Sequence, residues 1–100
     1  MKHSHNTIVV TGGGSGIGRA LARRWQAAGN TVIVAGRNME NLRETIGDLD
    51  NVYAYELDMT SEGSIEAFAK TIVEKHPETN VLVNNAGIMG FENITARRDM

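Results

Sequence analysis

A doubly wound α/β fold, a parallel sheet covered by helices on both faces, is predicted by three features of the 100-residue sequence. Short β-branched runs alternate with segments of helical periodicity along the whole chain. A glycine-rich turn, Thr11-Gly12-Gly13-Gly14-Ser15-Gly16-Ile17-Gly18, joins the first strand to the first helix. Strand, helix and strand then fit within about 30 residues, the length of one βαβ unit. The composition agrees, because 41% hydrophobic and 22% charged residues with a net charge of −2 describe a globular domain with no basic surface for nucleic acid. There is no cysteine, so disulfide and thiolate chemistry are excluded. No apolar run reaches bilayer length, and Met1-Lys2-His3-Ser4-His5 leads into a strand without a signal-peptide core, so a cytoplasmic location is expected. His3 and His5 are read as a polar terminus in preference to a metal-binding pair.

The elements follow in order. Thr7-Ile8-Val9-Val10 is the first strand, and Ile17, Ala20, Leu21, Trp25 and Ala28 mark one face of a helix from about Gly16 to Ala28. Gly29 is its left-handed stop, and Thr31-Val32-Ile33-Val34-Ala35 is a second strand buried on both faces. Asn38 is read as the N-cap of a short helix carrying Met39, Leu42 and Ile46, ended by Gly47. Val52-Tyr53-Ala54-Tyr55-Glu56-Leu57 is the third strand, at the outer edge, with Asp58 at its exit. Thr60 or Ser61 caps a third helix whose Ile65, Phe68, Ala69, Ile72 and Val73 keep helical spacing without a miss, although Gly63 sits awkwardly in its first turn. His76-Pro77 ends it, and Val81-Leu82-Val83-Asn84 is a fourth strand. The expected strand order is 3-2-1-4. Its switch point between strands one and four brings the glycine turn and the loop Asn84-Asn85-Ala86-Gly87 together at the carboxyl ends of the strands, where such sheets bind ligands.

The glycine turn has the chemistry of a phosphate cradle. A bulky, doubly charged pyrophosphate needs backbone N–H groups close to it, and a Cβ at the contact would hold it away. The spacing Gly12-x-x-x-Gly16-x-Gly18 differs from G-x-G-x-x-G in every register, so it is a variant with the same mechanics. Taken alone, the turn is also compatible with a glycine-rich loop that holds no ligand.

Thr11-Gly12-x-x-x-Gly16-Ile17-Gly18, Asp58 after strand three and Asn84-Asn85-Ala86-Gly87 after strand four together resemble the short-chain dehydrogenases/reductases of classical type, over nearly the whole chain. The resemblance implies a Rossmann-type sheet, here truncated after strand four, so that residues 1–100 form a single dinucleotide-binding domain incomplete relative to the family. It implies that Gly12, Ser15, Gly16, Ile17 and Gly18 surround the pyrophosphate and adenosine ribose. Asp58 and Met59 would flank the adenine, and Asn85, Ala86 and Gly87 would pass close to the riboses. Asn84 is read as a tie between central strands more than as a ligand contact. The end of strand two discriminates between cofactors, because a carboxylate there accepts hydrogen bonds from the adenosine ribose and repels a 2′-phosphate. Gly36 holds that position, and Arg37 with Asn38 follows, a cation and an amide suited to a phosphate. NADP is therefore expected in preference to NAD.

Hydride transfer in the resembled family needs a serine, a tyrosine and a lysine four residues after the tyrosine. The only tyrosines here are Tyr53 and Tyr55, followed four places on by Leu57 and Met59. No catalytic residue is therefore assigned. Two readings follow: the NADP(H)-binding portion of an oxidoreductase whose activity and small-molecule substrate belong to a longer parent, or a non-catalytic nucleotide-binding or self-associating module. Self-association is expected in either case, because Val81-Leu82-Val83 is an apolar edge without a lysine or proline guard.

Overall fold

The computed structural model describes residues 4–12, 14 and 16–84. Strands β1 (Thr7–Thr11), β2 (Thr31–Gly36), β3 (Val52–Glu56) and β4 (Val81–Asn84) form one parallel sheet in the order β3-β2-β1-β4, the predicted topology. Helices α1 (Gly16–Ala27), α2 (Met39–Ile46) and α3 (Glu62–Lys75) connect them. The register runs Ile8–Val32 and Ile8–Val81 across the centre, and Val32–Val52 towards the outer edge. Strand β2 extends one residue further than the apolar run suggests, because Gly36 still pairs with Glu56.

Alternation along the strands decides which helix meets which residue. Ile8, Val10, Val32, Val34 and Val52 point to the face carrying α1 and α2, where they pack with Ala22 and Leu42 into the main core. Val9 and Leu82 point to the opposite face and line an apolar groove beneath α3. Every residue of β1 is buried, as expected for a central parallel strand.

The helix ends follow local chemistry. Asn38 accepts a hydrogen bond from the Asn41 N–H at 3.1 Å and so caps α2, while Gly47, at φ 49°, closes it with an N–H bonded to the Arg43 carbonyl. Between the two candidate caps of α3 the structure selects Ser61, whose hydroxyl accepts from the Ser64 N–H.

Two apolar faces differ from the sequence expectation in which residues are buried or how deeply. In α1 the buried residues are Gly18 and Ala22, with Leu21 and Trp25 half-buried, whereas Ile17 is 70% exposed and Ala20 and Ala28 are exposed. Small residues at positions 18 and 22 let the helix approach the sheet closely, which rotates Ile17 outwards beside the glycine turn. In α3 the periodicity is regular but no residue is fully buried, and Val73 is 70% exposed. Its Phe68 meets the Tyr55 ring edge-on at 6.3 Å, and the Tyr55 hydroxyl lies 2.7 Å from His76 Nε2 at the helix end. Burial, together with neighbouring Tyr53, pushes the Tyr55 phenol up. That pair fastens α3 to the edge strand.

At the amino ends of the strands three asparagines form a clip. Asn30 Oδ1 accepts from both the backbone and side-chain nitrogen of Asn6, Asn80 donates to Asn6 Oδ1, and Asn80 Oδ1 receives the Thr7 N–H at 2.8 Å. Asn6 and Asn30 are buried, so these bonds satisfy groups that would otherwise be expensive to desolvate.

Candidate functional site

The carboxyl ends of β1, β2 and β3 open into two adjoining depressions. One, of about 250 Å³, is lined by Thr11, Gly12, Gly36, Arg37, Leu57, Asp58 and Met59. The other, of about 230 Å³, is lined by Gly12, Gly14, Gly36, Arg37, Asn38, Asn41 and Leu42. Gly12, Gly36 and Arg37 belong to both and form the ridge between them. The fold thus brings together Gly12, Arg37 and Asn38 on one side and Gly12, Arg37, Asp58 and Met59 on the other. Gly16, Ile17 and Gly18 begin α1 next to the turn. Ser15, Asn85, Ala86 and Gly87 lie outside the described residues.

The floor is fastened at specific points. The Gly12 N–H donates to the Ala35 carbonyl at 2.7 Å and the Leu57 N–H to the Gly36 carbonyl at 2.8 Å, so the turn and the β3 exit are both fastened to β2. Gly12 and Gly16 have φ of 72° and 58°, the left-handed region that a side chain resists. Gly14 is constrained by space instead: an added Cβ would stand 3.0 Å from Asn41 Cβ. Leu42, fully buried, comes up from the core beneath this floor, with its Cδ2 3.6 Å and 3.7 Å from where a Cβ on Gly14 or Gly36 would lie.

The polar groups around the floor have distinct surroundings. Arg37 is exposed and makes no hydrogen bond or ion pair with another described residue. Asn38 uses Oδ1 to cap α2, which leaves its Nδ2 amide as the part able to donate to an anion. The Asp58 carboxylate accepts from the Thr60 hydroxyl at 2.6 Å and the Thr60 N–H at 2.9 Å. These bonds, hydroxyl first, hold its carboxyl below the usual carboxylate range, and the Arg37 charge adds to the effect. A carboxyl lowered in the folded state contributes stability above its unfolded value of about 3.9, and that contribution is lost as the pH falls through the lowered value. Thr60→Val, which removes the strongest donor, is expected to raise the Asp58 titration midpoint towards the ordinary value. Carbon-detected NMR titration of the carboxyl checks this, and an unchanged midpoint would contradict the assignment.

Asn84 receives the Thr11 hydroxyl at 2.9 Å on its Oδ1, which ties the carboxyl ends of β1 and β4 side by side. The two tyrosines lie on β3, and Tyr55 is engaged with His76 under α3 rather than with the depressions.

One feature was missed in the sequence. Arg19 and Arg23, four residues apart on α1 and mostly opposite the apolar face that the periodicity marks, reach across to α2. Arg19 Nε donates to Thr45 Oγ1 at 3.0 Å, and its Nη2 reaches the carbonyls of Gly14 and Asn41 and the Glu44 carboxylate at 3.4 Å. Arg23 donates to the carbonyls of Glu44 and Thr45. The signal was the i, i+4 arginine spacing opposite a helix with open carbonyls, which periodicity alone does not separate from a solvated face.

Comparison with known proteins places this geometry. The family model described as short chain dehydrogenase matches residues 6–99. The uncharacterized oxidoreductase DltE of Bacillus subtilis is 41% identical over 88 residues, which are 88% of this chain and 35% of that protein. The NADP-dependent 3-hydroxy acid dehydrogenase YdfG of Shigella flexneri is 36% identical over 87 residues, 85% of this chain and 35% of its own length. A short-chain dehydrogenase from Streptomyces avermitilis superimposes with a TM-score of 0.79 at 39% identity, covering 87% of this chain and 32% of that one. The chain therefore spans about a third of the length of these relatives. With four parallel strands in the order 3-2-1-4, a glycine turn at the switch point and a family match along nearly its whole length, the chain belongs to the short-chain dehydrogenase family of oxidoreductases.

Proposed function

We propose that residues 1–100 form the NADP(H)-binding portion of an oxidoreductase that moves a hydride between NADP(H) and a carbonyl or alcohol substrate. The substrate site and proton-transfer residues then belong to a longer parent, and a cytoplasmic location is part of the same reading. The observation that carries it is the end of β2. Gly36 offers no carboxylate to the adenosine ribose, while Arg37 stands exposed with no ion-pair partner among the described residues, beside the Asn38 amide at the start of α2. Unpaired N–H groups and the positive end of the helix dipole favour an anion at the same place. The similarity to a dehydrogenase described as NADP-dependent supports the choice. The nicotinamide, when bound, supplies the hydride chemistry. The residues of this chain bind and orient: Gly12, Ser15, Gly16, Ile17 and Gly18 around the pyrophosphate, Arg37 and Asn38 on the 2′-phosphate, Asp58 and Met59 beside the adenine, and Asn85, Ala86 and Gly87 along the riboses. Isothermal titration with NADPH and NADH tests the proposal. Tighter binding of NADPH is expected; NADH binding equally well would overturn the cofactor choice, and binding of neither would overturn the site.

A second reading, self-association, is favoured by a separate observation. Among the described residues β4 has a strand neighbour only on its β1 side, Leu82 is 65% exposed, and the groove of about 370 Å³ between α3 and this side of the sheet is lined by Val9, Leu57, Ile65, Phe68, Ile72 and Leu82. An apolar edge of this kind templates pairing with a second chain. Sedimentation of the 100-residue chain at low micromolar concentration is expected to show a dimer or larger species that Leu82→Lys dissociates. A single monomeric species of the unsubstituted chain would contradict it.

A further inference from the structure

The nucleotide site has two halves, and each has an anchor of its own. The glycine turn is fastened to β2 through the Gly12 N–H, and the Arg37-Asn38 turn is fastened to α2 through the Asn38 cap. The Gly12 bond and the Thr11–Ala35 pairing join the two halves at their base on β2. Arg19 adds a second tie further out, at Gly14. Its guanidinium lies between the turn and α2, with Nη2 on the Gly14 carbonyl on one side and on the Asn41 carbonyl at 3.1 Å on the other, while Nε holds Thr45 Oγ1 at 3.0 Å. Thr45 is fully buried and its hydroxyl in turn donates to the Asn41 carbonyl at 3.2 Å, so the far side of the bridge is itself fixed. The near side is close-packed too, because a Cβ on Gly14 would stand only 3.0 Å from Asn41 Cβ.

We propose that Arg19 is a positioning residue for the nucleotide site: by bridging the glycine turn and α2, it holds the pyrophosphate-binding backbone and the Arg37-Asn38 pair at the separation one NADP(H) molecule requires. The inference rests on the NADP(H) reading given above. Its chemistry is that of a fixed fork, since a guanidinium presents Nε and Nη2 in one plane and spans acceptors that a single ammonium meets one at a time. A ligand reaching both halves benefits from their spacing, whereas a ligand reaching one half does not.

The test compares NADPH, which engages both halves, with NADH, which lacks the 2′-phosphate, and 2′-AMP, which lacks the pyrophosphate. Affinities for the unsubstituted protein, Arg19→Met and Arg19→Lys are measured by titration alongside their melting temperatures. In both variants the preference for NADPH over NADH is expected to fall by about tenfold, mid-range for coupling between neighbouring groups. NADH and 2′-AMP affinities should each stay within about threefold, as expected where only the spacing has changed. Loss of all three affinities by one common factor marks a role in stability alone and overturns the proposal, as does an unchanged preference. Full retention by Arg19→Lys shows that charge and not the fork matters, which also overturns it. If Arg19→Met fails to fold, Arg19→Lys carries the same readouts. Absence of any NADPH preference in the unsubstituted protein removes the cofactor reading itself and is thereby distinguished from failure of the Arg19 bridge.

Discussion

Leu42→Ala is expected to destabilise the fold by about 2–5 kcal/mol, the range for truncating a fully buried leucine. Leu42 is 0% exposed and packs in the core with Val10, Val32 and Val34, while its Cδ2 lies under both Gly14 and Gly36. The substitution therefore removes apolar contacts and also leaves a cavity directly beneath the floor of the proposed nucleotide site. Urea unfolding measures the first effect. The second appears as weaker NADPH binding under conditions where the variant is still folded. A loss of less than about 1 kcal/mol would mean that the floor collapses freely onto the space left behind, contrary to the packing of Leu42 beneath Gly14 and Gly36.

Arg37→Ala is expected to weaken NADPH binding by about 1.5–3 kcal/mol, roughly 10- to 150-fold, the magnitude of a charge-assisted contact. NADH binding should change little, because without a 2′-phosphate Arg37 has only the ribose and the adenine to meet. The complementary change is Gly36→Asp. A Cβ at this position would lie 3.7 Å from Leu42 Cδ2, an ordinary contact, so the backbone accepts the side chain. The new carboxylate would accept hydrogen bonds from the ribose hydroxyls and repel the 2′-phosphate, and preference should swing towards NADH. Unchanged NADPH affinity in Arg37→Ala would contradict the assignment of that side chain.

The sheet was legible in the sequence because its information is local. Ile8 to Val10, Val32 to Ala35 and Val81 to Val83 are short apolar runs with turn residues between them, and strict alternation with helices leaves few ways to order them. The glycine turn and Asn38 were legible for a similar reason, since φ above zero and helix capping act within a few residues. What the sequence did not convey was long-range. Gly18 and Ala22 carry too little hydrophobicity to mark the buried face of α1, which is chosen by how closely a helix can approach the sheet. Arg19 and Arg23 find partners more than 20 residues away. The Asn6-Asn30-Asn80 clip joins residues 24 and 74 apart that no spacing rule connects. In α3, periodicity identifies the apolar face correctly but does not say what covers it, and Val73 and Leu82 remain exposed among the described residues.

In the proposed binding mode one NADP(H) molecule lies across the carboxyl ends of β1, β2 and β3, with its 2′-phosphate at Arg37. Amide chemical-shift mapping of the isotope-labelled protein during NADPH titration tests it most directly. Gly12, Gly14, Arg37, Asn38, Asp58 and Met59 are expected to shift together with a single dissociation constant, and replacing NADPH by NADH is expected to reduce the response most at Arg37 and Asn38. Shifts confined to the groove under α3, or an NADH response at Arg37 and Asn38 equal to that of NADPH, would contradict it.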